Sequence, residues 1–215
     1  MQPAPEAADA PAERTFIEAA RRNQIVAAAI DTIAEVGYSR ASLARIAARA
    51  GISRGLISYH FAGKDDLIAQ VVHDVVAKGR AYIEPRIRVE TTATGVLKAY
   101  IVSNLAFMRE HRNHMVATVE VAQNGITADG QRRFYDDADV GRAERRLADI
   151  LARFQGAGEL RPDFDPVAMA IAIRAAIDAI PPRLATDPDL DIDSYAREIA
   201  TTFDLATRLA VGDRA

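Results

Sequence analysis

The chain has 215 residues, of which 49% are hydrophobic and 27% charged, and its net charge is −3, as in an ordinary globular protein of one or two domains. Its 43 alanines, set against 6% aromatic residues and no Trp, predict an all-α fold, because alanine is the strongest helix former. The lack of cysteine excludes disulfides, thiolate zinc sites and a cysteine nucleophile.

The N-terminal region and the apolar runs exclude other classes of protein. The longest apolar run, residues 167–173, is far shorter than the roughly 18 residues that a membrane span needs. The first residues lack the basic and apolar regions of a signal peptide, so we expect a cytoplasmic protein with no membrane partner. Residues 1–13 contain three prolines, three acids and five alanines, which predicts a disordered tail.

Four helices are predicted between Arg14 and Pro85. In the first, apolar residues recur at helical spacing, at Val26, Ala29, Ile30, Ile33 and Val36, and Gly37 ends it. Ser42 is a suitable N-cap for a second helix, Leu43 to Ala50, whose inward positions are Leu43, Ile46 and Ala47. A tight turn over residues 51–53 precedes a short third helix through Tyr59. Gly63 separates this from a fourth helix that starts at Lys64 and that Pro85 stops.

Longer helices are predicted in the C-terminal region. Periodicity and breakers place them over residues 95–112, 114–123, 131–154, 166–180 and 194–211. Asp165 is expected to cap the helix that Pro166 opens, and Pro181-Pro182 to end or kink it. We therefore expect about nine helices, with no strand and no internal repeat.

Residues 42–61, SLARIAARAGISRGLISYHF, have the pattern of a helix-turn-helix. Such a motif needs a small residue where the helices cross, a glycine in the turn and a buried apolar residue on the second helix. Ala47, Gly51 and Ile57 occupy these positions. Two helices joined in this way cross at about 90–120°, so that the second can enter a DNA major groove.

Residues 19–79 resemble the DNA-binding domain of TetR-family transcriptional regulators. The residues that match lie in five groups: 35–38 (EVGY), 42–43 (SL), 46–47 (IA) with 50–53 (AGIS), 55 with 57–61 (G, ISYHF), and 64–67 (KDDL). The Ile57-Ser58 pair is particularly similar to the betaine-regulator branch, whereas no motif of that branch is evident in the remaining residues. The resemblance implies a DNA-binding domain over residues 14–63, a connecting helix over 64–84, and a ligand-binding and dimerisation domain over 85–215.

The resemblance and the residue chemistry together assign DNA contacts. Ser42 and Ser53 start helices, where hydroxyl and N–H groups meet phosphates, and Arg54 can donate to guanine O6 and N7. Gly55 allows close approach to the bases, and the family contacts phosphates and nearby bases at the positions of Ser58, Tyr59 and His60. The long side chain of Lys64 can reach the DNA backbone.

Alternatives exist for several of these residues. Tyr59 and Phe61 could both be core aromatics, although we assign Phe61 to the core and Tyr59 to a phosphate contact. Arg45 and Arg49 could be merely solvated.

The charge distribution agrees with one docking face for DNA. Between Arg14 and Lys64 there are eight basic and three acidic residues, a local charge of +5. Residues 1–13 carry −3, so residues 65–215 must carry −5 for the total to be −3. A basic module on an acidic body argues against a nonspecific polyanion binder.

No catalytic or metal site is evident. The sequence lacks a Gly-x-Ser-x-Gly elbow, a Walker loop and a dinucleotide fingerprint, so we expect neither an enzyme nor a cofactor. A second cluster of titratable residues, Glu110, His111, His114, Glu120 and the distant His73, lacks the two-histidine spacing of zinc helices. We interpret it as a charged helix end, and we expect no metal.

The C-terminal domain offers candidate ligand and dimer residues. An unknown small-molecule effector could contact Tyr100, Phe107, Met108, His111, Met115 and Phe134, although in an all-α bundle such residues are more often plain core. Helix 166–180 has one apolar stripe, Met169, Ala172, Ile173, Ala176 and Ile180, with Ile171 and Ala175 off it. The surplus apolar surface, there and on helix 194–211, predicts a two-fold homodimer.

The sequence therefore predicts a homodimeric regulator, a repressor that an effector releases from a palindromic operator in double-stranded DNA. The fourth helix would link the two sites, since one rigid element reaches from the DNA side at Lys64 to the body at Tyr82. A ligand-independent architectural or constitutive DNA-binding protein is the alternative.

Overall fold

The computed structural model describes residues 10–125, 134, 137–187 and 189–209, and the regular structure of these residues is α-helical. Ten helices follow one another along the described chain: α1 (Ala10–Val36), α2 (Leu43–Ala50), α3 (Arg54–His60), α4 (Lys64–Arg88), α5 (Ala93–Glu110), α6 (Arg112–Asn124), α7 (Asp137–Gly156), α8 (Pro166–Asp178), α9 (Ile180–Thr186) and α10 (Ile192–Thr207). The predicted all-α class is confirmed. None of these helices is long and apolar enough to span a bilayer, in the part of the chain that the structure describes.

Local capping fixes the short helices α2 and α3 where the sequence predicts them. The Ser42 hydroxyl accepts a hydrogen bond from the backbone N–H of Arg45, at 3.3 Å. In the same way the Ser53 hydroxyl accepts from the N–H of Leu56, at 3.2 Å. Gly51 ends α2 with φ at 65°, a left-handed conformation that glycine adopts without strain. Both helices thus begin at an oxygen-bearing cap and are separated by a tight turn.

The N-terminal helices pack around fully buried isoleucine side chains, among them Ile33, Ile46 and Ile57. Ala47 and Phe61 are also buried, as the helix-turn-helix pattern requires, whereas Leu43 is half-buried. This small core holds α2 and α3 against α1 and the first turns of α4.

The first helix begins earlier than predicted. α1 starts at Ala10 and so overlaps the last residues of the predicted tail. Pro11 is compatible with this because the first turn of a helix does not need its N–H. Residues 1–9 lie outside the described part of the chain.

Pro85 does not stop the fourth helix, contrary to our prediction. α4 runs to Arg88 with Pro85 inside it. Proline has no N–H, so Pro85 removes one i→i−4 hydrogen bond from α4. The helix continues for only three residues beyond it. The Arg86 guanidinium donates to the Tyr82 carbonyl oxygen and lies 3.6 Å from the Tyr82 ring centroid, which stabilises this last turn. The connecting helix therefore spans residues 64–88.

The C-terminal helices continue the same hydrophobic core. α5 packs against α4 and α10, and α7 packs against α8, around side chains such as Ile101, Leu105 and Leu151. α6 contacts α1 on one side and α9 on another. This helix therefore belongs to the body and also touches the N-terminal domain.

Several helix ends in the body differ from the predictions. α5 begins two residues early, capped by Thr92, and α6 extends over residues 112–124. The predicted start of α7 at Gln131 lies outside the described residues. α8 is capped by Asp165, whose carboxylate accepts from the N–H of Ala168 at 2.7 Å.

Pro181-Pro182 was expected to end or to kink the helix that Pro166 opens, and the structure shows two separate helices there. α8 ends at Asp178, and Pro181-Pro182 lies in the first turn of a separate short helix, α9. The count is therefore ten among the described residues, one more than expected. α10 starts two residues early at Ile192 and ends at Thr207, not Val211, because Arg208 becomes extended and pairs with Leu160.

Candidate DNA-binding surface

The second helix of the helix-turn-helix presents a polar outer face. Arg54, Gly55 and Ser58 are exposed on α3, and Tyr59 is 74% exposed. Ile57, on the opposite side of the same helix, is fully buried. Tyr59 is therefore not a core residue, as one of the two interpretations held. Its phenol is accessible to a DNA phosphate.

Ser42 and Ser53 lie at the exposed starts of α2 and α3. Their oxygens accept hydrogen bonds from the helix backbone, which leaves each hydroxyl proton free to donate outward. The remaining N–H groups of the first turn and the helix dipole also favour an anion at such a position. Both serines are thus suited to phosphate contacts.

His60 closes the recognition helix and is half-buried. Its ring lies edge-on to that of Tyr59, with centroids 5.0 Å apart. Its backbone carbonyl oxygen accepts a hydrogen bond from Nη1 of Arg22, at 2.5 Å. The end of α3 is therefore attached to α1.

Arg22 is a supporting residue that the sequence analysis counted only as a charge. Its guanidinium lies 4.4 Å from the Phe61 ring centroid as well as on the His60 carbonyl, where a cation also complements the helix dipole. The available signal was spacing, since Arg22 precedes the buried Val26 by four residues and so lies on the inner face of α1.

Lys64 has internal partners. Its Nζ donates to the carbonyl oxygen of Tyr38 at 2.6 Å and lies 4.3 Å from the centroid of the Tyr38 ring. Burial lowers the pKa of the Lys64 ammonium, and the neighbouring Asp65 carboxylate partly opposes this. One of its three N–H donors is therefore used within the protein, and two remain for a phosphate.

The two arginines on α2 differ in their partners. Arg49 forms an ion pair with Glu35 near the end of α1, whereas Arg45 is exposed. An exposed ion pair of this kind contributes little to stability.

Comparison with protein families agrees with this geometry. Residues 25–71 match the family model described as bacterial regulatory proteins of the tetR family. These residues include α2, α3 and the start of α4, the elements that form the candidate surface. Residues 25–71 therefore form a TetR-type domain.

Curated relatives match part of the chain. The chain is 44% identical over 68 residues to the HTH-type transcriptional regulator BetI 1 of Chromohalobacter salexigens, covering 28% of this chain and 34% of that protein. It is 31% identical over 102 residues to BetI of Cronobacter sakazakii, covering 46% of this chain and 50% of that protein. The chain thus matches half or less of the length of these regulators.

Solved structures of other proteins share the fold over a longer span. FadR from Bacillus subtilis, solved with stearoyl-CoA, has a TM-score of 0.72 at 21% identity, covering 84% of this chain and 96% of that chain. AibR, solved with isovaleryl coenzyme A and operator DNA, has a TM-score of 0.69 at 18% identity, covering 85% and 97%. At such identities the likeness establishes the fold of the body and not its ligand.

The residues predicted to contact an effector lie in different places. Phe107, Met108 and Met115 are buried in the core of the body. Their packing alone accounts for these apolar side chains, so the alternative of plain core remains open for them.

The other three predicted effector residues have partners on different helices. The Tyr100 hydroxyl accepts a hydrogen bond from Arg174 on α8, at 3.2 Å. The ring centroids of His111 and Phe107 are 4.5 Å apart. Those of Phe134 and Tyr38, which lies in the TetR domain, are 6.2 Å apart. A shared effector site of these six residues stays a prediction.

A groove between the last turn of α4 and one face of α5 was not predicted. It has a volume of about 300 Å³, and its lining includes Arg86, Val89, Glu90, Ala99, Val102 and Ala106. On α5 these are small side chains at helical spacing. Their pattern in the sequence does not differ from that of an ordinary packed helix. An occupant of this groove would press on the end of α4.

The residues of the second titratable cluster have separate partners. The Tyr82 hydroxyl donates to Glu110 at 2.8 Å, and this bond lowers the pKa of the Glu110 carboxyl. His111 and His114 have ring centroids 5.1 Å apart, while Glu120 contacts the turn after α1. Among the described residues, no three His, Asp or Glu side chains come together as metal ligands would.

Proposed function

We propose that the protein is a homodimeric transcriptional regulator, a repressor that a small molecule releases from a palindromic operator. One observation carries the proposal: the exposed outer face of α3, with Tyr59 74% exposed beside the fully buried Ile57, within a TetR domain. Proteins with such a domain use this helix to read base edges in the major groove.

The proposed contacts divide into two classes. Arg54 reads a guanine, and Gly55 allows the first turn of α3 to approach the bases. Ser42, Ser53, Ser58, Tyr59, His60 and Lys64 hold phosphates and fix the register of the helix. Phosphate contacts position a protein on DNA, whereas base contacts give it sequence preference.

The dimer proposal is supported by apolar residues left exposed on α8. Val167 and Ile171 are 57% and 48% exposed, and Ala168, Ala172 and Ala175 are exposed beside them. These positions follow the i, i+4 spacing of one helix face, opposite the buried Ala170, Ile173 and Ile177. This face differs from the stripe that the sequence suggested, since Ile173 is internal. A two-fold pairing of α8 would bury it and would require half-sites about one helical turn apart, or a multiple of that.

The proposed effector binds the body and acts through α4. Two solved structures with the same fold contain acyl-CoA thioesters, by their descriptions. Stearoyl-CoA and isovaleryl-CoA are therefore the first compounds to test, and the groove between α4 and α5 is a candidate place of binding. Displacing the end of α4 would change the spacing of the two recognition helices.

The alternative function is DNA binding that no effector controls. It would be favoured if operator binding did not respond to any compound that binds the body. An enzyme is disfavoured because the relatives are described as transcriptional regulators.

The test begins with selection of bound sequences from random duplex DNA by the full-length protein. We expect a palindrome with two equal half-sites, and a gel shift that the effector reverses. Sedimentation of the free protein at micromolar concentration checks the dimer. Failure to enrich any sequence would refute the proposed function, and a single half-site bound by a monomer would refute the dimer.

A further inference from the structure

The backbone of Tyr38, in the turn between α1 and α2, is held from two sides. Its N–H donates to Oε2 of Glu120 on α6, at 3.0 Å, although the two residues are 82 positions apart. Its carbonyl oxygen accepts from Nζ of Lys64, the first residue of α4, at 2.6 Å. A single residue in this turn therefore connects the body helix α6 to the helix that directly follows α3.

The Glu120 carboxylate accepts this bond together with a longer one, at 3.4 Å, from Nδ2 of Asn124 on its own helix. Gly37 has φ at 80°, and a Cβ at Gly37 would lie 3.0 Å from Oε2 of Glu120. A negative charge so close to the C-terminal end of α1 is opposed by the helix dipole. The charge-assisted bond from the Tyr38 N–H offsets this repulsion, which makes the position of Glu120 depend on that turn.

A second bond attaches α6 directly to α1 and fixes the direction of α6. Nδ2 of Asn113 donates to Oδ1 of Asp31 on α1, at 2.9 Å. Asn113 and Glu120 are seven residues apart, about 10 Å along the helix. Attachment at two separated points means that a shift or rotation of α6 must move α1 and its following turn, or break a bond.

We propose that Glu120 is a positioning residue that sets the orientation of the recognition helix from α6, through the Tyr38 backbone and Lys64. This is a second route from the body to the DNA surface, separate from the far end of α4. The inference rests on the proposed function, because its consequence is the spacing of two recognition helices on an operator. Without this link, the TetR domain turns more freely against the body, and the dimer no longer prefers one half-site spacing.

The test uses the full-length protein and the half-site that the wild-type chain selects. Palindromes are built from it with spacers that differ by single base pairs, and Kd is measured for each. For Glu120→Ala and for Glu120→Asp, whose shorter side chain cannot reach, we expect binding about tenfold weaker at the best spacing, a usual size for coupling between sites. We also expect a flatter dependence on spacing. Glu120→Gln keeps an acceptor oxygen at full reach and should behave as the wild-type chain does.

Glu159→Ala is the matched control. Glu159 also accepts a backbone N–H, that of Ala93, at 2.9 Å and across 66 residues, but this bond lies within the body. Its loss should leave the spacing preference unchanged. Hydrogen exchange of the Tyr38 amide, without DNA, should accelerate in Glu120→Ala and Glu120→Asp only.

Two results overturn the inference while leaving the proposed function intact. One is an unchanged spacing preference in both Glu120→Ala and Glu120→Asp. The other is an equal flattening in Glu159→Ala, which would indicate general loosening. If the wild-type chain selects no sequence at all, the proposed function fails first and the inference fails with it.

Discussion

Arg54 is exposed in the first turn of α3, and its planar guanidinium can donate two parallel hydrogen bonds to one guanine. We expect Arg54→Ala to cost about 1–3 kcal/mol on the selected operator and to relax the base preference at one position of each half-site. Competition binding against operators changed at single positions measures both effects. Arg45→Ala, on the exposed side of α2, is the control, and an equal loss on operator and random DNA would defeat the base-reading assignment.

Lys64 has one donor committed to Tyr38 and two remaining. Lys64→Met removes the charge but keeps much of the aliphatic packing on the Tyr38 ring. If the ammonium also holds a phosphate, the slope of log K against log salt concentration should fall by about one. An unchanged slope with weaker binding would instead assign Lys64 entirely to the internal bond.

His114 gives the stability a pH dependence. Burial lowers its pKa, and the nearby Lys78 and His111 act in the same direction, whereas Asp74 and Asp31 oppose them. Since the folded-state pKa lies below the unfolded value of about 6.5, the unfolded chain binds more protons in that window. The free energy of unfolding should therefore fall as pH decreases through 6.5 towards the folded-state pKa.

Denaturant unfolding at pH 7.5 and 5.5 checks this expectation. His114→Gln should reduce the loss at the lower pH, whereas His73→Gln, an exposed histidine hydrogen-bonded to Gln70, should not. The same loss in wild-type and His114→Gln proteins would exclude His114 as the cause.

Individual elements differ in how far their sequence determines them. α2 and α3 were predicted to within one residue because Ser42, Gly51 and Ser53 act through local backbone bonds. The continuation of α4 past Pro85 was not predictable in this way, since packing and the Arg86 side chain outweigh one missing N–H. The Glu120 contact was equally hidden, because its partner is 82 residues away.

The end of α1 depends on a glycine at a left-handed position. Gly37→Ala should lower the free energy of unfolding by about 1–2 kcal/mol, since an L residue is strained at φ of 80° and its Cβ would approach Glu120. Gly63→Ala is the control, because Gly63 has an extended backbone with φ at 170° and open space around its Cα. Equal stabilities of the two variants would show that Gly37 is not needed for its conformation.

At the scale of the whole molecule, the exposed face of α8 should hold the two protomers together. We expect Ile171→Lys to give a monomer at micromolar concentration, because a buried charge at the centre of an apolar interface has no partner. Val76→Lys on α4 is matched in exposure, at 48% for each side chain, and should remain a dimer. Sedimentation distinguishes the two outcomes, and a dimeric Ile171→Lys would move the interface elsewhere.

The fold class and the helix-turn-helix were accessible from sequence, whereas the DNA contacts and the effector site stay predictions. A helix-turn-helix is a local pattern, and Ala47, Gly51 and Ile57 lie within eleven residues of one another. Whether Phe107 or Met115 lines a cavity or fills a core depends on how distant helices pack, which periodicity alone does not specify.

The attachment of the Tyr38 amide to Glu120 bears on protein engineering by domain exchange. A chimera that fuses residues 10–88 to the body of another regulator would keep the α3 surface and the Arg22 support, since both lie within that segment. It would lose the carboxylate that binds the Tyr38 N–H, unless the new body supplied an acceptor at the same place. Such a transplant would recognise the same half-site with an altered tolerance for the distance between half-sites, and restoring one glutamate on the host helix would be the first repair to make.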